Sequence, residues 1–180
     1  LKILGLHNIE NIMAAVAMAR CVSVPMEKIR ETITTFMGVE HRIEYVTEKR
    51  GVSYYNDSKG TNPDASIKAV QAMVRPTLLI GGGYDKQSTY DEWIEAFDSK
   101  VRYLVLLGET ANKIAECARR HGFEHIIMTE SLEEAVKVCA QKAQSGDAVL
   151  LSPACASWDM FKSYEERGRI FKELVHKLKE

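Results

Sequence analysis

Apolar residues recur at three- and four-residue spacing over 8–21 (NIENIMAAVAMARC) and over 25–37 (PMEKIRETITTFM), the second run opening on Pro25. The spacing predicts two leading helices, with Pro25 in a helix-starting position. Beyond Gly38 the pattern changes. Short β-rich runs (RIEYVTE, VSYYN, TLLIGG, VRYLVLLG, HIIM, AVLLSP) alternate with helical patterns near 63–74, 89–97, 110–121 and 131–144, and a long helical pattern closes the chain. Nearly continuous apolar strands between helices predict an α/β fold: a Rossmann-like, mostly parallel sheet with helices on both faces. The first two runs meet at KRGV, which reads as a hairpin and makes one edge strand antiparallel. No internal repeat or low-complexity segment is visible.

In such a sheet, ligands gather at the carboxyl ends of the strands. The unusual segments fall there: NDSKGTN after VSYY, GGGYDK after TLLI, GE after YLVLL and SPACAS after AVLL. In NDSKGTNPD the Asn, Asp, Ser, Gly and Pro residues are ordinary turn formers. Lys59 and Thr61 have no such job. With Asp85, Lys86 and Ser157 from the neighbouring loops, they are candidate ligand contacts.

Composition narrows the classes. The 180 residues suffice for one well-cored domain, and 46% hydrophobic with 27% charged residues is ordinary for a soluble globular protein. Lys and Arg number 24 against 25 Asp and Glu, with neither sign concentrated, so no nucleic-acid partner is expected. No apolar run approaches the roughly 20 residues that span a bilayer, and the first residues lack a secretory pattern; a cytoplasmic address and no membrane partner follow as expectations. The four cysteines, Cys21, Cys117, Cys139 and Cys155, form no C-x-x-C pair and read as reduced, mostly buried thiols.

Several candidates have two readings. Gly81–Gly83 does not fit G-x-G-x-x-G and equally reads as a sharp strand-to-loop turn, and the chain contains no P-loop motif. Asn8 and Asn11, three apart, share a helix face where two amides could pair with a base edge; equally, Asn8 could cap the helix and Asn11 be exposed. His41 and Arg42 could reach a ligand or be surface charges. His7, His121, His125 and His176 have no partner at ligand spacing. In SWDMFKSYEERGRIF the aromatic residues Trp158, Phe161 and Phe171 read as the core stripe of a helix. Ser157 and Tyr164, near its start, are candidates for a carboxylate site, since helix N-termini attract anions.

Five segments, HNIEN, EHRIE, NDSKGTNPDAS, GGGYDK and LLSPACASWDMFKSYEERGRIF, taken in order, resemble the C-terminal part of a bacterial Mur ligase, of the branch that adds D-glutamate. The resemblance covers essentially the whole chain. It implies that residues 1–37 are the last helices of a central ATPase domain and that 38–180 form the amino-acid-binding C-terminal domain. It also explains the missing P-loop. The activity implied is ATP-dependent amide formation between UDP-N-acetylmuramoyl-L-alanine and D-glutamate, through an acyl phosphate and a tetrahedral intermediate. ATP and Mg²⁺ serve the full-length enzyme, with the metal ligands outside this chain, which alone is expected to be a monomer and inactive.

Matched by position, the resemblance makes Lys59 the catalytic cation and Thr61, Lys86, Ser157 and Tyr164 the D-glutamate site. Asn8, Asn11, His41, Arg42 and Asp57 would line the nucleotide, the Asn pair at adenine and Asp57 at ribose. Tyr164 stands where many relatives have Phe. The competing reading is a Rossmann-like domain that binds an acidic metabolite without chemistry.

Overall fold

The computed structural model describes residues 3–179. Helices α1 (Leu6–Cys21) and α2 (Met26–Thr35) lead the chain; α1 buries none of its residues and α2 only Ile29. Strands β1 (Glu44–Lys49) and β2 (Val52–Asn56) form the expected antiparallel hairpin. Its two turn residues, Arg50 and Gly51, both have positive φ (54° and 75°), the left-handed backbone that tight hairpins require. There follow α3 (Pro63–Ala72), β3 (Thr77–Gly81), α4 (Asp91–Glu95), β4 (Val101–Leu106), α5 (Ala111–Arg120), β5 (Ile126–Met128), α6 (Leu132–Lys142), β6 (Ala148–Leu151) and α7 (Tyr164–His176). Among the described residues, no helix is long and apolar enough to cross a membrane.

The sheet order is β1-β2-β6-β3-β4-β5, parallel throughout except for the β1–β2 edge. Alternation along the central strands separates two cores. Leu79, Leu104, Leu106 and Leu150 face α3, α4 and α5, whereas Leu78, Ile80, Val105 and Val149 face α6 and α7. Both faces are covered, which is why these strands read as continuous apolar runs.

The C-terminal pattern is where the structure departs from the sequence reading. Residues 157–163 are not helical, and α7 begins only at Tyr164. Ser163 caps it, its side chain accepting from Glu166 N, while Glu166 Oε2 accepts from Lys162 N at 2.6 Å. That reciprocal cap fixes the helix start. Upstream, Asp159 accepts from Glu109 N at 3.0 Å, and Trp158 lies against Tyr84 with ring centroids 5.5 Å apart. Trp158 is 65% exposed and so is not a core residue, in contrast to Phe171, which is fully buried.

Candidate functional site

Four strand-to-helix loops meet at the carboxyl edge of the sheet, stitched together largely by backbone. Gly82 N donates to Pro153 O at 2.9 Å and Tyr84 N to Ala156 O at 3.0 Å, joining the loop after β3 to the loop after β6. Thr110, at the start of α5, accepts from Gly83 N at 3.0 Å and donates to Gly83 O at 2.9 Å. Gly82 has φ 102°, and a Cβ there would run into the carbonyl oxygen of Leu107. The glycine triplet thus makes the sharp turn and the close approach, its plainer reading. Cys155 is buried between Tyr90 Oη (3.1 Å) and Thr110 Oγ1 (3.3 Å), and burial pushes its thiol pKa up, as suits a structural thiol rather than a nucleophile.

Beside this platform, the β2–α3 turn carries Lys59. Asn62 caps α3 by accepting from Ala65 N at 2.9 Å, and Pro63 occupies the first turn, so the turn residues do the work their types predict. The Lys59 ammonium lies 3.3 Å from Tyr164 Oη and 5.2 Å from the Tyr164 ring centroid. Ser58 fixes the same pair from below, its hydroxyl donating to Tyr164 O at 2.7 Å. Beneath both lies Arg167, 3% exposed, whose Nε donates to Ser58 Oγ (3.0 Å) and Nη2 to Ser58 O (2.9 Å) and Cys155 O (3.2 Å). One guanidinium therefore links the start of α7 to two site loops. Sequence reasoning missed it, although Arg167 stands four residues before the buried Phe171 and hence on the same helix face.

The expected nucleotide residues divide into two groups. Asn8, Asn11 and Arg42 line one groove between α1 and α2, whose remaining walls include Ile12, Ile29 and Phe36. Asn8 does not cap its helix; its amide donates to Leu4 O at 2.6 Å, and Gly5 holds the cap position. Arg42 also borders a smaller polar pocket with His7, Asp57, Lys59 and Lys68. His41, by contrast, is turned inward, against the start of α7. It has φ 64°, is 3% exposed, packs edge-on against Tyr164, and its Nδ1 lies 2.9 Å from Asn56 Nδ2. An amide donor there assigns the free lone pair to Nδ1, and burial lowers the ring's pKa, both of which favour the neutral ring.

Asp57 is also largely committed within the protein. Ile43 N donates to its Oδ1 (3.2 Å) and Ser152 Oγ to its Oδ2 (2.7 Å), at 4% exposure. Burial pushes its carboxyl up to about 7; the hydrogen bonds from Ser152 and Ile43, then Arg42 and Arg167, oppose the rise. Its carboxylate forms the floor of the pocket rather than a projecting arm.

The amino-acid candidates are less tightly assembled. Tyr164 joins Lys59 directly. Ser157, 2% exposed, and Lys86, exposed, stand on the two loops joined by the Tyr84–Ala156 bridge, and Thr61 follows Lys59 in the turn. Asp85 does not orient Lys86: its carboxylate pairs with Lys113 at 3.0 and 3.1 Å.

The model for the Mur ligase glutamate ligase domain matches residues 41–155. Among curated proteins, the UDP-N-acetylmuramoylalanine–D-glutamate ligase of Lachnoclostridium phytofermentans is 66% identical over 180 residues, all of this chain and 40% of that protein. The ligase of the same name from Clostridioides difficile is 53% identical over 97% of the chain and 39% of its own length. The chain thus spans about 40% of the length of the curated relatives it matches. Among solved structures, the UDP-N-acetylmuramate-alanine ligase MurC of Thermotoga maritima superposes with TM-score 0.74 at 18% identity, covering 99% of this chain and 40% of its own. The folylpolyglutamate synthase of the same organism gives 0.65 at 17%, covering 98% and 40%. At these identities the two structures speak for the fold alone.

Proposed function

The chain belongs to the Mur ligase family, and from that membership we propose that it is the amino-acid-accepting part of an ATP-dependent ligase joining D-glutamate to UDP-N-acetylmuramoyl-L-alanine. Residues 38–180 would be the accepting domain and residues 1–37 the adjoining edge of the ATPase domain. The absence of any buried residue in α1 supports that division, because a helix with no burial of its own needs a neighbour to cover it.

The observation that carries the reading is the Lys59 ammonium, held against Tyr164 at the carboxyl edge of the sheet by a turn that Arg167 braces. Amide formation through an acyl phosphate develops negative charge on the phosphoryl group and on the carbonyl oxygen, and a cation fixed in advance stabilises both without reorganising. Lys59 supplies it. Thr61, Ser157 and Lys86 rim the same edge and would receive the two carboxylates of D-glutamate, with the amine left facing the acyl carbon. The groove holding Asn8 and Asn11 suits a flat base with polar edges, and Arg42 and Lys68 around the adjoining pocket suit its phosphates. ATP would supply the phosphoryl group that activates the substrate carboxylate. The described residues do not fit a Mg²⁺ centre there: of the carboxylate-bearing clusters, Glu40–His41–Glu44 is filled by the Lys172 ammonium, and Asp91–Cys117–His121 includes a thiol and an imidazole, ligands Mg²⁺ does not favour.

The test is Lys59→Met in the full-length ligase, with kcat followed at saturating substrates. A loss of about 10²- to 10³-fold is expected, the scale for one preorganised charge-stabilising donor, with circular dichroism unchanged. A kcat within about twofold of the parent would remove Lys59 from the chemistry and favour a domain that binds without reacting.

A further inference from the structure

At the far end of α5 from the candidate site, three side chains of different chemistry converge. Cys117 and His121 stand four residues apart and so share one face of the helix end. Asp91, the first residue of α4, lies opposite them. The Cys117 thiol, His121 ring nitrogen and Asp91 carboxylate oxygen all lie within 4.8 Å of one another. The sequence reading left His121 without a partner because Asp91 is thirty residues upstream, brought close only by the packing of α4 against α5. From Ala111 to His121 the helix descends about 15 Å at 1.5 Å per residue, which separates this cluster from the strand-end loops.

We propose that Asp91, Cys117 and His121 form a binding site for a transition-metal ion of the zinc class that clamps α4 to α5. The donor set decides the class. A thiolate, an imidazole and a carboxylate are the ordinary ligands of Zn²⁺, and a thiolate selects against Mg²⁺ and Ca²⁺. Bond lengths of about 2.0–2.3 Å in a tetrahedron put ligand atoms roughly 3.3–3.8 Å apart. The present separations, none above 4.8 Å, need shifts of about 1 Å to reach that range. His121 Nε2 already lies 2.9 Å from Asp91 Oδ1, and its Nδ1 lies 3.7 Å from Glu95 Oε1. With Nε2 on the metal, Glu95 becomes the carboxylate that orients the ring from behind, a recurrent outer partner of metal-bound histidine.

Cys117, 3% exposed, is the buried member of the cluster. Arg120 is the competing cation, 3.5 Å from Asp91 Oδ1, but its side chain is 67% exposed and is free to swing out. Binding forms the sulfur–metal bond as the thiol proton passes to solvent; no redox step is involved. The fourth position falls to water.

The probe is Co²⁺ added to the 180-residue chain carrying Cys21→Ser, which removes the exposed thiol. One equivalent should produce thiolate-to-cobalt charge-transfer absorption in the near ultraviolet and intense tetrahedral d–d bands, and Zn²⁺ should displace both. Adding Cys117→Ser should abolish the charge-transfer band. Asp91→Asn and His121→Gln, both surface changes, should each weaken cobalt binding by at least about tenfold while circular dichroism stays unchanged. The proposal is overturned if micromolar cobalt gives no charge-transfer band, if the band survives Cys117→Ser, or if neither surface variant alters affinity.

Discussion

Asp57 and Arg167 show how the site is held by groups that are almost wholly buried. Since burial sets the Asp57 carboxyl near 7 against an ordinary 3.8, the folded chain keeps a proton there that the unfolded chain has already lost. Folding takes up that proton between about pH 4 and 7, so this group's contribution to stability is greatest at low pH and falls as pH rises through the folded value. From pH 5 to 8 the loss amounts to about 2–3 kcal/mol. Asp57→Asn has the same shape and cannot titrate. Its melting temperature should fall less between pH 5 and 8 than the parent's, by roughly 4–12 °C; parallel profiles would show that the carboxyl is ionised throughout. Arg167 makes the complementary point. Its planar fork reaches Ser58, Cys155 and Ala156 at once, which a lysine's single ammonium cannot do. Arg167→Lys should leave at least one buried carbonyl unpaired and cost about 1–3 kcal/mol, a fall of roughly 2–12 °C by calorimetry. A melting temperature within about a degree of the parent would mean that water takes over those bonds.

At the scale of elements, α7 matters most, because its first turn carries Tyr164 and Arg167 to the site. Ser163 is its cap, and Ser163→Ala should cost about 1 kcal/mol, a shift of about 2–4 °C. Fraying of that turn should also loosen Lys59, read as faster amide exchange at Ser58–Gly60; unchanged exchange there would mean that the turn holds itself. The same helix marks the limit of what the sequence made legible. The sheet, its antiparallel edge and four of its strand-end loops could be read from periodicity and turn residues, and Lys59 stood out in its turn; its nearness to Tyr164, 105 residues away, could not be read so. The late start of α7 could not, because Asp159 and Trp158 are drawn to Glu109 and Tyr84, partners fifty or more residues away. The inward turn of His41 was hidden for the same reason: Asn56 and Gly168, which close on its ring, are local to it only in space.

For the molecule as a whole, the question is how much stability the first two helices lend the sheet. Burial says little. The two clusters that flank the sheet draw on residues from Ile43 onward, and among the described residues the leading segment adds only Leu4, partly buried against the α3 side. Ile29 is the one buried residue of α1 and α2, and it lines the groove between them. A partly buried leucine is worth about 1–2 kcal/mol by area. A chain of residues 38–180 should therefore unfold cooperatively within about 8 °C of the 180-residue chain, since 1 kcal/mol shifts the midpoint by about 2–4 °C at this size. The sheet is self-sufficient on this reading, and the groove between α1 and α2 exists for what it binds or adjoins. Thermal unfolding of both chains in the same buffer decides the matter. A fall of more than about 15 °C, or a broad uncooperative transition, would show that α1 and α2 belong energetically to the sheet, and the boundary at Gly38 would be wrong.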